Sequence, residues 1–218
     1  MDFFADLETV RDRWNVLQHP FYQRWSAGEL TREELASYAG QYRHAVVALA
    51  DASHGAAAVA GDDLRASLQA HAAEETAHVD LWDEFTRAVG GDAGAAPTPE
   101  TAACAAAWAG DGERPLLRSL AALYAIESGQ PAISQTKAEG LVAEYGFTAA
   151  SDATRYFDLH AVRDVEHAAH ARELLEDRLE PGDAQALLAE AEAVLRANWE
   201  LLDGVEQLNG REPALAAS

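Results

Sequence analysis

Three side chains able to bind a metal share one register. His160, Asp164 and His167, within DLHAVRDVEHAAHARELL (residues 158–175), stand at i, i+4 and i+7. On an α-helix of 3.6 residues per turn they occupy one face. Such a polar face is a poor core unless something compensates it. Two other segments offer matching groups. AEETAHVDLW places Glu74 and Glu75 four and three residues before His78, and LYAIESGQP sets Glu127 in an apolar run. Inward-facing Glu and Glu-x-x-His groups from facing helices are the ligand inventory of a dinuclear iron site in a helical bundle.

Iron of this kind takes imidazole and carboxylate ligands, and Fe/Fe and Mn/Fe pairs use the same types. Two such ions need about six protein ligands. His78, His160, His167, Asp164, Glu127 and one of Glu74 or Glu75 make that set. Any one of these histidines alone is more often an ordinary core or surface residue. The combination on three segments is what points to metal. His71 lies seven residues before His78, and His170 three after His167. Either could orient a ligand through a hydrogen bond, although such residues are more often incidental. Cys104, in the Ala-rich TAACAAAW, reads as packing, since no basic group stands near it to favour a thiolate. Phe21, Tyr22 and Trp25 read as core, and Lys137 as a solvated surface lysine.

The elements that must position these groups are helices. Ala is abundant, and Gly, Pro and β-branched residues are sparse. The pattern predicts seven or eight helices, with an opening one over residues 2–18. Thr31 and Glu34 form a capping box before the helix that carries Tyr38 and Tyr42. Asp62 or Asp63 caps the helix bearing His71 to His78. Gly129 and Pro131 predict a kink close to Glu127. Ser151 or Asp152 opens the helix of the first motif. One domain over residues 1–210 is expected, with a loose tail at 211–218.

Among 218 residues the formal net charge is −21. Such a surface repels nucleic acid and offers no basic patch for anionic lipid. No apolar run approaches the roughly 20 residues of a membrane span. The opening MDFFADLETVRDRW is acidic and lacks a long apolar core, so no signal peptide is expected. A single cysteine fits a reducing cytoplasm.

HPFYQRWSAGELTREELASYAGQY, AEETAHVDLW, LYAIESGQPAISQTKAEGL and HAVRDVEHA resemble, in order and spacing, the haem-oxygenase-like diiron oxidases. Within them the chain is most similar to the CADD-like branch of the TenA/PqqC superfamily. The resemblance spans about residues 18–175. It implies an all-α haem-oxygenase-like bundle that binds two irons, draws on an external reductant and activates O₂. It supports His78, Glu127, His160, Asp164 and His167 as ligands. Glu74 aligns better with the CADD-like ligand, while Glu75 makes Glu-x-x-His. Substrates implied by the wider family are an amino acid or a fatty acid. CADD-like chains instead make p-aminobenzoate from one of their own tyrosines, with a lysine giving the nitrogen. Tyr22 and Lys137 match those positions, and Tyr38 a further tyrosine beside them. Ile126 departs from the pattern, standing where CADD-like chains have a tyrosine before the metal-binding Glu. Relatives also imply an electron-donor partner and a homodimer. Two rival readings are a metal-independent enzyme of the PqqC or TenA kind and a binding or regulatory protein.

Overall fold

The computed structural model describes residues 2–180 and 182–213. Among them are nine α-helices: α1 (Phe3–Arg13), α2 (Pro20–Ser26), α3 (Arg32–Val59), α4 (Asp62–Ala88), α5 (Pro99–Ala109), α6 (Leu116–Glu127), α7 (Gln130–Ala143), α8 (Arg155–Arg178) and α9 (Ala184–Leu208). The described residues contain no strand. The opening segment is shorter than expected. α1 stops at Arg13, and Val16–Gln18 forms a separate 3₁₀ turn. α6 and α7 are one helical path broken at Ser128 and Gly129, the kink that Gly129 and Pro131 predict. Counted as one kinked helix, they bring the total to eight.

The long helices bury single stripes. On α4 the buried residues are Leu64, Leu68, Ala72, Glu75, His78, Trp82, Phe85 and Thr86. On α8 they are Tyr156, Phe157, His160, Asp164, Ala168, Ala171, Leu174 and Leu175. Apart from the adjacent pairs at their ends, both series step by three or four residues, as one helical face requires. The polar members therefore sit inside an apolar stripe that faces the interior. Burying each flanking Leu or Phe contributes about 1.5–3 kcal/mol, which holds the polar members in place.

α3 runs through the middle and packs on α4, α5, α6 and α9, while α8 packs on α4, α6 and α7. One core cluster reaches from Phe3 to Val205. The capping box at Thr31 forms as expected. The Thr31 amide donates to Glu34 Oε2 at 2.8 Å, and the Glu34 amide donates to Thr31 Oγ1 at 3.2 Å. Arg24 then ties Glu34 of α3 to Glu206 of α9, at 2.7 and 2.8 Å. Burial would raise the Glu34 carboxyl, but the Thr31 amide, Arg211 and Arg24 hold it at about 2.

Two helix starts differ from expectation. Gly61, not an aspartate, is the N-cap of α4, and Asp62 becomes its first residue. α8 begins at Arg155, because Ser151 and Thr154 close a turn in which the Ser151 amide donates to Thr154 Oγ1. Of the tail, residues 211–213 carry no helix, and 214–218 lie outside the described residues.

Candidate metal centre

α4, α6 and α8 bring seven side chains to one interior point. Glu75 is its hub. Its Oε1 lies 3.2 Å from His78 Nδ1, 3.6 Å from His167 Nδ1 and 3.7 Å from His71 Nε2. Its Oε2 lies 4.0 Å from His160 Nε2. Glu127 Oε1 lies 2.8 Å from His71 Nε2. Asp164 Oδ1 lies 3.7 Å from His167 Nδ1. Two groups of donor atoms result, His71/Glu75/Glu127/His167 and Glu75/His78/His160, each within 4.8 Å. Glu75 belongs to both.

The chemistry of this donor set fits metal cations. Eight atoms here are buried and hydrogen-bonded to nothing: His71 Nε2, Glu75 Oε1, His78 Nδ1, Glu127 Oε1 and Oε2, His160 Nε2, Asp164 Oδ2 and His167 Nδ1. Unsatisfied buried polar atoms are costly and rare. Eight at one point, all able to offer a lone pair, make a cradle for positive charge.

The protonation pattern agrees. Burial raises Asp164 to about 9, with Glu127 and Glu75 adding to the rise. Burial also raises Glu127, against the opposing pull of His71. Glu75 goes the other way: burial pushes it up, but His160 and His78 bring it well below the usual carboxylate range. Burial and the neighbouring His71 lower His167 to about 4. His160 donates from Nδ1 to the Tyr156 carbonyl at 2.7 Å, which turns Nε2 inward toward Glu75.

The adjacent glutamates separate. Glu75 is 1% exposed, whereas Glu74 is partly exposed and both its oxygens accept from Arg163, at 2.7 and 2.8 Å. Successive helix positions point about 100° apart, so only one of the pair can face the interior. His71, read from sequence as an orienting or incidental residue, is a member of the larger donor group. The signal was present: His71, Glu75 and His78 repeat the i, i+4, i+7 spacing of His160, Asp164 and His167. His170 is exposed at the rim of a cavity of about 270 Å³ beside the centre. Leu68, Leu120, Leu123 and Leu174 line that cavity together with His71 and His167.

Tyr22, Tyr38 and Lys137 also meet. Tyr22 and Tyr38 share a hydroxyl–hydroxyl hydrogen bond of 2.8 Å. Lys137 is no surface lysine. It is 1% exposed, with Nζ 4.7 Å from the Tyr42 ring centre, 5.1 Å from Tyr22 and 5.3 Å from Phe157. Trp82 borders this box and packs edge-on against Tyr156 at 4.8 Å. Tyr156 in turn stacks on His160 at 3.9 Å. Rings thus run continuously from the metal centre to the lysine. Cys104 is buried in apolar surroundings that push its thiol up, as the packing role requires. No helix among the described residues is long and apolar enough to cross a membrane.

Residues 36–199 match the family described as iron-containing redox enzyme. The 4-aminobenzoate synthase of Chlamydia muridarum is 32% identical, over 93% of this chain and 89% of the relative. That of Nitrosomonas europaea is 30% identical, over 94% and 91%. A domain with a haem oxygenase-like fold from Shewanella denitrificans superposes with a TM-score of 0.80 at 19% identity, covering 96% of this chain and 94% of that one. A TenA homologue from P. horikoshii superposes at 0.74 and 16% identity, covering 93% and 96%. With an all-helical bundle, a buried His and carboxylate centre and this match over most of its length, the chain belongs to the iron-containing redox enzymes of haem-oxygenase-like fold and is an iron-dependent oxidoreductase.

Proposed function

We propose that this enzyme uses a dinuclear iron centre to make 4-aminobenzoate from its own Tyr22, with Lys137 as the nitrogen donor. The observation that carries the reading is the placement of Lys137 Nζ, 5.1 Å from the centre of the Tyr22 ring in a fully buried aromatic box. The names of the curated relatives support it.

His71, Glu75, Glu127 and His167 would hold one ion, and His78, His160 and the shared Glu75 the other, with Asp164 beside both. Iron bound there supplies O₂ activation, with electrons from an external donor. The chain's own groups do the rest. Burial drives the Lys137 pKa well below its ordinary value, which favours the neutral amine, the form whose lone pair can bond to carbon. Burial, helped by Tyr42, raises the Tyr22 pKa, so the phenol keeps its proton and is oriented by Tyr38. The packed rings exclude water from both. Fe/Fe or Mn/Fe occupancy, a cytoplasmic location and a homodimer go with this reading, on the family resemblance.

The test is mass spectrometry of the protein before and after O₂, with Fe(II) and reductant present. A covalent change at Tyr22 or Lys137 is expected. An unmodified chain that turns over an added substrate would defeat it. The cavity of about 270 Å³ lined in part by His71 and His167 favours a second reading, oxidation of a free apolar substrate, and that outcome would select it.

A further inference from the structure

We infer that Glu74 is a positioning residue for His167, fixing which ring nitrogen carries the proton. The inference rests on the metal centre proposed above. His167 has two distinct faces. Nδ1 points inward, 3.6 Å from Glu75 and 3.7 Å from Asp164, buried and without a hydrogen bond. Nε2 points outward, 3.3 Å from Glu74 Oε2. An ionised carboxylate only accepts, so the proton sits on Nε2 and the lone pair on Nδ1 is left for a metal.

Glu74 is itself fixed. Arg163 grips it with two parallel bonds, Nε to Oε2 at 2.8 Å and Nη2 to Oε1 at 2.7 Å. Arg163 also contacts Glu166 from its other side. A forked guanidinium–carboxylate pair holds its geometry better than a single bond. Burial shapes the two inward-facing histidines of α8 differently. His160 lies deep and uses a backbone carbonyl, that of Tyr156, as its outer acceptor. His167 lies nearer the surface and uses a side chain, which evolution or mutation can alter. Glu74 is therefore an outer brace, and Glu75 supplies the carboxylate to the ions.

Outer acceptors of this kind typically change metal affinity by about 10–100-fold. The experiment compares wild type with Glu74→Ala, Glu74→Gln and Arg163→Met, using two readouts. The first is the His167 tautomer in metal-free protein, read by long-range ¹H–¹⁵N NMR. Wild type is expected to hold the proton on Nε2. Glu74→Ala should give a mixture, and Glu74→Gln, which keeps an acceptor oxygen, should restore the wild-type signal. The second is anaerobic Co(II) titration. Glu74→Ala should still take two ions, one of them about 10–100-fold more weakly, with Glu74→Gln recovering most of the loss. Arg163→Met should fall between.

Two results would overturn the inference. One is a Glu74→Ala protein with unchanged tautomer and affinity. The other is a Glu74→Ala protein that cannot take a second ion at any concentration, which would make Glu74 a ligand. If wild type binds no metal while its tautomer still follows Glu74, the brace stands and the metal reading falls.

Discussion

Glu127 Oε1 and His71 Nε2 approach to 2.8 Å, and both belong to the larger donor group. A cation bound there would be held by both. His71→Ala should therefore reduce the metal content from two ions to one, the survivor resting on His78 and His160. Glu75→Gln should weaken both positions, because its carboxylate belongs to both groups. Metal analysis of protein reconstituted without O₂ checks both outcomes.

Metal uptake should release protons at neutral pH. Asp164 stands at about 9 in the metal-free protein, so it is protonated at pH 7, and a metal ion favours its carboxylate form. Calorimetric titration in buffers of different ionisation enthalpy measures the release, which Asp164→Asn should lower. The same shift bears on metal-free stability. The folded pKa of Asp164 lies above its unfolded value of about 3.9, so the native state binds more protons between them. Its contribution to stability thus falls as pH rises from about 4 to 9. His167, lowered to about 4, acts oppositely. Its unfolded form binds more protons below about 6.5, so its contribution rises from pH 4 to 6.5. For these two groups the slopes cancel between about pH 4 and 6.5 and the Asp164 loss alone continues to about 9, so denaturation of the metal-free protein should show wild type losing stability relative to Asp164→Asn across that upper range.

Lys137→Met should stabilise the fold while abolishing product. A buried amine without a carboxylate partner costs about 1–3 kcal/mol relative to an apolar side chain of similar shape. The folded pKa is depressed, so stability attributable to Lys137 rises with pH up to the unfolded value near 10.4. Relative to Lys137→Met, wild type should gain stability as pH rises across the alkaline range. Metal stoichiometry should stay unchanged, which separates the lysine from the ligands.

Gly140→Ala should cost about 1–3 kcal/mol. A Cβ there would fall 2.7 Å from Trp25 Cδ1 and 2.8 Å from its Nε1. Trp25 would have to move, and its hydrogen bond to the Lys137 carbonyl, now 3.2 Å, would go with it. Urea denaturation gives the loss directly. Reduced product with intact metal binding would show that the aromatic box had shifted.

The helices were legible because their signals are local. Thr31 and Glu34 announce a cap, Gly129 and Pro131 a break, and the spacing of His160, Asp164 and His167 a face. What was not legible depends on contacts between segments far apart in sequence. Whether Glu74 or Glu75 turns inward is set by how α4 rolls against α3 and α8. The burial of Lys137 arises because α7 closes over rings from α2, α3, α4 and α8, and no feature of SQTKAEGL carries that information. His71 is a different case. Its spacing to Glu75 and His78 was readable, but a lone histidine so often means nothing that only the facing Glu127 reveals it.

Tyr22 is 1% exposed, and its ring packs on Phe21, Trp25 and Tyr38. On the self-consuming reading, each reaction removes an aromatic ring from the middle of the bundle. Large-to-small losses of that kind cost about 3–5 kcal/mol, against a total stability of about 5–15 kcal/mol for an ordinary domain. A chain that has reacted once would therefore have lost a large share of its margin against unfolding, and thermal denaturation should distinguish used from unused protein.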